Sequence, residues 1–193
     1  MKVLIDNGHG IETKGKRSPD SSIIEYEYCR KIAKKVVEGL RKHDIDADLL
    51  VSENNDIPLV ERVKRCNIFN PKETILVSIH VNAAGNGKSW MNARGWSVYV
   101  SDNSSSRSKI LSDYLAQSAY ECGLKVRKQY GDRPYWTNNF YILKYSKCPA
   151  VLTENLFMDN KNDVAYLLSD KGKESIINLH IQSILDYINM NKK

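Results

Sequence analysis

The sequence predicts an α/β fold, built as a single domain with a largely parallel sheet that helices cover on both faces. The main observation is that short apolar runs alternate with segments of helical periodicity along the chain, an order typical of parallel sheets. A length of 193 residues suits one domain. Hydrophobic residues make up 41% of the chain, which is enough to fill a core of that size.

Five apolar runs have the length and composition of buried strands. They occupy residues 2–6, 47–51, 74–80, 95–101 and 150–154. Four further segments repeat apolar residues at helical spacing. These cover residues 25–43, 58–69, 105–122 and 172–189. Because active sites of such sheets lie beyond the carboxyl ends of the strands, the polar residues that end these runs are the first candidates for function.

Residues 123–147 form the least regular segment. They carry six basic residues against a single acid, and aromatic residues are interleaved with them. Such a mixture stacks on sugars or bases in some proteins and elsewhere forms a packed loop, here with a short strand at residues 140–144. The aromatic residues are Tyr130, Tyr135, Trp136, Phe140, Tyr141 and Tyr145.

Cysteine spacing and net charge restrict the class of protein. The four cysteines form no C-x-x-C pair, which argues against a cysteine zinc site or a disulfide scaffold and predicts reduced, mostly buried thiols. A net charge of +6 and a pI near 9.0 fit an anionic partner: nucleic acid, a membrane surface or a bacterial wall polymer. No apolar run reaches the roughly 18 residues of a membrane span. Asp6 and Asn7 end the first apolar run too early for a signal peptide.

His9 and His80 differ from the other two histidines because each stands at the end of an apolar run. His43 lies near the end of a predicted helix, where the helix dipole favours a cation. His180 lies within the last predicted helix, as an expected surface or boundary residue. His9 stands between two glycines in LIDNGHG, and glycines let a backbone bend sharply or approach a ligand closely. An ordinary strand-to-loop corner would also explain His9 by itself.

Two glutamates occupy positions where a charge is costly. Glu25 begins the apolar stripe of the helix predicted at residues 25–43 and points toward the core, whereas Glu27 lies on the solvated face. Glu154 follows the buried residues of the last apolar run. An unpaired buried carboxylate is unfavourable. A metal ion, an arginine or the amides of the helix N-terminus would stabilise Glu25, and an ion pair at the strand end is the alternative for Glu154.

Together these residues supply two imidazoles, one carboxylate ligand and one free carboxylate. His9, His80 and Glu25 match the His2Glu set of catalytic zinc sites, which keep a fourth position open. Glu154 would be the general base beside them. The sequence contains no H-E-x-x-H, no H-x-D, no phosphate-binding glycine pattern and no G-x-S-x-G. Zinc-assisted amide hydrolysis is therefore the chemistry that this set favours.

Motifs spread over nearly the whole chain resemble, in the same order, the zinc-dependent N-acetylmuramoyl-L-alanine amidases of the amidase-3 type. LIDNGHG, the Glu25 of EYEYCRKIAKKV, LVSIHVNAA and PAVLTENLFMDN carry the resemblance. Between them, IPLVERVKRCN, GWSVYVS and FYILKYSKCPAVLTE also resemble the corresponding segments of the family. One such motif would be weak evidence, but the ordered set is specific.

The resemblance implies a twisted, mostly parallel sheet of about six strands. It implies cleavage of the amide between the lactyl group of N-acetylmuramic acid and the L-alanine of the peptidoglycan stem peptide. By position, His9, Glu25 and His80 would bind one zinc ion, and Glu154 would be the general base and then the acid for the leaving amine. Zinc is preferred to iron or manganese on ligand type and on the resemblance.

The resemblance also implies the organisation and partners of the protein. Residues 1–193 would form a single catalytic amidase domain without a separate wall-binding module. The partner would be peptidoglycan, with neither nucleic acid nor membrane. A non-catalytic peptidoglycan-binding domain of the same fold is the alternative, but it should lack Glu154 or a metal ligand. The place of action is the bacterial cell wall, reached either from the cytoplasm through a holin, as for a phage or prophage lysin, or by secretion with the leader removed.

The first loop departs from the family pattern. Asn7 stands where the family usually has proline, and IETKGKRSPDSS replaces a stretch rich in glycine and aspartate. This loop is expected to border the substrate cleft, so a preference for one stem peptide does not carry over from the family. Lys14, Lys16 and Arg17 are candidates to meet a peptide carboxylate, and a solvated loop is the alternative.

Overall fold

The computed structural model describes residues 1–129 and 131–190, so Tyr130 of the aromatic segment lies outside the described residues. The described residues form one sheet of six strands, which we number β1 to β6 in chain order. They are Lys2–Asn7, Asp46–Leu49, Thr74–Asn82, Ser97–Val100, Tyr135–Thr137 and Ala150–Phe157. The strand order is β2-β1-β3-β6-β4-β5. Among the strand pairs of the described residues, only β4–β6 is antiparallel, which confirms the predicted single α/β domain with a mostly parallel sheet.

Helices cover both faces of this sheet. The described residues contain six α-helices, α1 to α6 in chain order. They are Glu25–Lys42, Leu59–Asn67, Ser106–Glu121, Tyr141–Tyr145, Lys161–Leu168 and Asp170–Met190. Side chains alternate between the faces of a strand, so Val3 and Ile5 pack with α1, α3, α5 and α6, whereas Leu4 packs with α2 and α4. No helix among the described residues combines the length and the hydropathy that a membrane span requires.

The apolar stripe predicted for α1 is buried. Cys29, Ile32, Val36 and Leu40 are each 2% exposed or less. Three of the four cysteines of the chain are buried, as the sequence predicts. The inward face of α1 fixes the rotation of the helix about its axis, and this rotation directs the side chain of Glu25 toward the sheet.

The predicted elements are wrong in three places. Residues 140–144 are not a strand: they enter α4, where the amides of Leu143 and Lys144 donate to the carbonyl of Phe140, and the strand β5 lies just before them. The helix α5 was not predicted. The strands β3 and β6 continue past His80 and Glu154, because hydrogen bonding between the two strands extends further along the chain. Glu154 is therefore inside a strand and not at its end.

His180 is fully buried, so the prediction of a surface or boundary position is wrong. Its Nδ1 lies 2.7 Å from the carbonyl oxygen of Ile176, and its Nε2 lies 2.9 Å from Oγ1 of Thr153. A carbonyl only accepts hydrogen bonds, so Nδ1 carries the proton and Nε2 accepts from the Thr153 hydroxyl. The partner from β6 satisfies the ring inside the core, and helical periodicity alone does not show that partner.

The burial of His180 predicts a loss of stability in acid. Burial lowers the pKa of His180 from the ordinary 6.5 to about 4. Between these values the unfolded chain binds a proton that the folded protein does not, so the free energy of unfolding decreases as the pH falls. We expect this group to account for a loss of about 2 kcal/mol between about pH 7 and about pH 4.5. Urea unfolding of the metal-free protein at several pH values measures it.

Two variants separate this effect from the titration of other groups. His180→Gln should lose about 2 kcal/mol less than the wild type over the same pH range, whatever its stability at neutral pH. His43→Gln is the matched control for the loss of one histidine, because His43 is exposed at the C-cap of α1, and it should not reproduce the change expected for His180→Gln. Parallel pH curves for His180→Gln and the wild type would contradict the prediction.

Candidate metal centre

The loop after β1 places His9 beside the sheet. The amide of Gly8 donates to the carbonyl of Ile79 at 3.0 Å, so the chain leaves β1 next to β3. A Cβ on Gly8 would lie 2.5 Å from the ring of His80, and only glycine allows the ring this close to the backbone. His9 itself has the left-handed φ of 62°, which is uncommon for a residue with a side chain. The glycines thus permit close approach, while the bend occurs at His9.

Glu25 begins α1 and reaches between two imidazoles. Its side chain is 2% exposed, with Oε2 3.3 Å from Nε2 of His9 and Oε1 3.2 Å from Nδ1 of His80. The amide of Val81 also donates to Oε1 at 3.1 Å. The inward orientation predicted from the stripe of α1 is confirmed, and the carboxylate lies close to both histidines that the sequence singles out.

Strand pairing brings Glu154 next to His80. The two residues are partners in the parallel register of β3 and β6, and partners on neighbouring strands point to the same face of a sheet. On its other side Glu154 pairs with Ser97 of β4. The four residues predicted as site residues therefore lie together at the carboxyl end of the parallel strands.

A cavity of about 320 Å³ opens over this group. His9, His80 and Glu154 line it, together with residues from α2 and α4 such as Arg62 and Tyr141. Three other clefts described in the structure are larger, up to about 560 Å³, but no histidine lines any of them. Two of the three candidate ligands, His9 and His80, therefore line the same cavity as the free carboxylate of Glu154, and Glu25 lies buried beside both histidines.

The donor atoms of His9, Glu25 and His80 fit a zinc ion. All three lie within 4.8 Å of one another. Two donors bound about 2.1 Å from a tetrahedral ion are about 3.4 Å apart, and each imidazole lies at a similar distance, 3.3 Å for His9 and 3.2 Å for His80, from a different oxygen of Glu25. Oε2 of Glu25 is buried, and among the described residues it meets no hydrogen-bond donor besides the imidazole of His9 at 3.3 Å, so a lone pair is available to a cation.

The charges of the site favour a cation at the same point. Burial raises the pKa of Glu25, but its interactions with His80 and His9 outweigh burial and bring the pKa to about 2. Burial lowers the pKa of His80, but the neighbouring carboxylate outweighs it and the pKa is raised. Glu25 is thus a persistent negative charge that attracts a positive one, either a proton on an imidazole or a metal ion.

Glu154 has the opposite electrostatic character. Desolvation of its carboxyl group raises its pKa to about 7, against the opposing effect of His80. Among the described residues, its buried Oε2 has no hydrogen-bond partner. A carboxyl group with a pKa near 7 can both accept and release a proton at neutral pH. Glu25 and Glu154 are therefore distinguished by their surroundings, the first as a lasting anion and the second as a proton carrier.

Two arginines donate hydrogen bonds to the loop that carries His9. The sequence did not lead us to predict a role for either of them. Arg62 of α2 is 2% exposed, and it donates to the carboxylate of Asp6 at 2.8 Å and to the carbonyl of His9 at 3.1 Å. Arg30 donates to the same carbonyl at 3.0 Å. The hydroxyl of Ser78 donates to the other oxygen of Asp6. The available signals were an acid inside the first strand and an arginine in IPLVERVKRCN.

The sequence pattern of the amidase-3 family, described as N-acetylmuramoyl-L-alanine amidase, matches residues 3–186. The chain belongs to this family. Amidases of this family are generally zinc-dependent, which agrees with the donor set of His9, Glu25 and His80. Individual proteins and solved structures are also similar to this chain along almost its full length.

Among relatives of this amidase, the endolysin of Bacillus phage SPP1 is 29% identical over 192 residues, which are 99% of this chain and 67% of the phage protein. The N-acetylmuramoyl-L-alanine amidase CwlM of Bacillus licheniformis is 27% identical over 194 residues, covering 100% of this chain and 70% of that protein. The crystal structure of the N-acetylmuramoyl-L-alanine amidase from Clostridium difficile 630 superposes with a TM-score of 0.84 at 27% identity. It covers 97% of this chain and 96% of that one.

Proposed function

We propose that this amidase hydrolyses the bond between the lactyl group of N-acetylmuramic acid and the L-alanine of the peptidoglycan stem peptide. His9, Glu25 and His80 hold one zinc ion in this proposal, and Glu154 is the general base and acid. The observation that carries it is the convergence of three donor atoms within 4.8 Å at the cavity that Glu154 also lines. The bacterial cell wall is the place of action, where anionic polymers attract a protein of net charge +6.

The proposed reaction uses Glu154 twice. When bound, zinc supplies Lewis acidity that polarises the scissile carbonyl and acidifies a water molecule. Glu154 accepts a proton from the attacking water as the water oxygen bonds to the carbonyl carbon. It then donates that proton to the alanine nitrogen as the C–N bond breaks. The products are a lactyl carboxylate and a stem peptide with a free N-terminal alanine, and a pKa of about 7 suits both proton transfers.

The walls of the cavity support binding of an extended substrate. Leu59 of α2 is 50% exposed and lines the cavity together with Phe140, Tyr141 and Ile142. Apolar and aromatic side chains at this position contact the faces of sugar rings or the alanine methyl group and reduce the access of water to the scissile bond. Lys16 provides a cation at the same cavity.

Identifying the new chain end in purified peptidoglycan tests the proposal. We expect one new N-terminal alanine for each stem that is cut, and no new reducing sugar end. Chelation should abolish the activity, and returning zinc should restore it, because the side chains of the site are electron donors and cannot replace the metal ion as a Lewis acid. Activity that chelation leaves unchanged would contradict the metal assignment. Binding to the wall without any new chain end would favour the non-catalytic alternative.

A further inference from the structure

Arg127 lies after α3, at the side of the sheet formed by β4 and β5. Its amide donates to the carbonyl of Trp96 at 2.7 Å, and its carbonyl accepts from the indole N–H of Trp136 at 3.0 Å. Gly95 leaves space for the side chain, since a Cβ there would lie 3.1 Å from Cγ of Arg127. The backbone and the first part of the side chain are therefore fixed.

The guanidinium of Arg127 is oriented by aromatic rings but not neutralised. Its Cζ lies 5.1 Å from the ring centre of Trp136 and 4.8 Å from that of Phe157, so the group is held by cation–π contacts. In the described part of the chain it donates no hydrogen bond and forms no ion pair. Arg62 and Arg65, by contrast, are each bonded to carboxylates. The N–H donors of Arg127 are thus left for an external acceptor.

The register of the sheet places this cation on the face that carries Glu154. Trp136 pairs with Tyr99, and Tyr99 pairs with Leu152, two residues before Glu154 on the same strand. Residues two apart on a strand point to the same face, so the ring under Arg127 and the Glu154 carboxyl share one face. Burial raises the pKa of Glu154, and the charge of Arg127 is near enough to oppose that effect.

The chemistry of the proposed substrate identifies the anion that this cation would bind. The N-acetylated sugars are uncharged, and the lactyl carboxyl is consumed in the scissile amide, so the nearest anion belongs to the peptide. The residue after L-alanine in a stem peptide is a D-glutamate joined through its γ-carboxyl, which leaves its α-carboxyl free or amidated. A free carboxylate matches the fork of a guanidinium, which binds it through two parallel hydrogen bonds.

We propose that Arg127 binds a free carboxylate of the stem peptide, on the leaving-group side of the scissile bond. This inference rests on the proposed amidase reaction and adds a determinant of specificity to it. It predicts that the protein distinguishes walls whose second stem residue carries a carboxylate from walls in which that group is a carboxamide.

Two substrates that differ only in this group test the inference. They are N-acetylmuramoyl-L-alanyl-γ-D-glutamate and its α-carboxamide, assayed with the zinc-loaded protein. The wild type should cut the acid with a kcat/KM ~10–100-fold higher than that of the amide, the range expected for hydrogen bonds to a charged group. Arg127→Met, which keeps an apolar stem between the rings, should lose this preference by slowing cleavage of the acid alone. Lys128 is an exposed neighbouring cation, and the Lys128→Met variant should keep the preference for the acid.

Any other outcome contradicts either the carboxylate site or the proposed reaction. Equal rates of the wild type on both substrates, or an equal fall on both in Arg127→Met, would overturn the carboxylate site. If the zinc-loaded wild type cuts neither substrate, the proposed reaction fails, and the site is tested by titrating L-alanyl-γ-D-glutamate into the protein. Binding that Arg127→Met abolishes and Lys128→Met retains supports the site, and the absence of binding to the wild type overturns it.

Discussion

Replacing Glu154 with glutamine is expected to lower kcat/KM on peptidoglycan by at least ~100-fold, the size typical of general acid–base catalysis. The glutamine has nearly the same shape but cannot carry the proton from water to the leaving nitrogen. The buried position should accept it, because burial already raises the pKa of Glu154 to about 7 and so favours a neutral group there. Initial rates on purified wall measure the effect.

Zinc binding and a matched variant complete this test. Glu154→Gln should still bind one zinc ion per chain, since the residue is not among the three clustered donors. Glu27→Gln is the control, because this carboxylate is close along the chain to Glu25 but lies outside the donor cluster, and its rate should equal that of the wild type. A Glu154→Gln protein that binds zinc and cuts the wall at the wild-type rate would refute the role of Glu154.

Replacing Arg62 with methionine is expected to destabilise the fold by about 3–5 kcal/mol, as when one partner of a buried ion pair is removed. The side chains of Arg62 and Asp6 are each only 2% exposed, with 2.8 Å between Nη1 and Oδ1. Without the guanidinium, Asp6 is left as a buried charge and the carbonyl of His9 loses a donor. The free energy of unfolding in urea measures the loss, and weaker zinc binding should accompany it.

Arg65 provides the matched control on the same helix. Its ion pairs with Glu53 and Glu61 are partly exposed, and such pairs contribute about 0–1 kcal/mol. Arg65→Met should therefore change the free energy of unfolding by no more than that, and zinc affinity not at all. If Arg62→Met does not fold, Arg62→Lys retains the charge without the planar fork. Equal stabilities for the Arg62 and Arg65 variants would contradict the role given to the buried pair.

The fold was predictable because burial on both faces of a parallel sheet leaves continuous apolar runs. The same logic identified Glu25, since a carboxylate in phase with a buried stripe is too costly without a partner. Two strand ends were placed too early, at His80 and Glu154, because polar side chains interrupt the apolar run while backbone pairing continues. The sequence was thus sufficient to predict which residues group in the candidate site, although it did not predict where the two strands end.

Other features depend on contacts between distant segments that no local pattern shows. His180 is buried because Thr153 on another element satisfies its ring. Arg62 matters because its donors meet the carboxylate of Asp6 and the carbonyl of His9. The left-handed backbone of His9 is set by the contacts of this loop, because this conformation is uncommon for residues with a side chain.

The position of the metal is the central claim, and anomalous diffraction at the zinc absorption edge tests it most directly. Crystals of the zinc-loaded protein should give one peak per chain. That peak should lie about 2.0–2.2 Å from Nε2 of His9, Nδ1 of His80 and a carboxylate oxygen of Glu25. A peak bound by other residues, or the absence of a peak at these three in a protein that cleaves peptidoglycan, would contradict the claim.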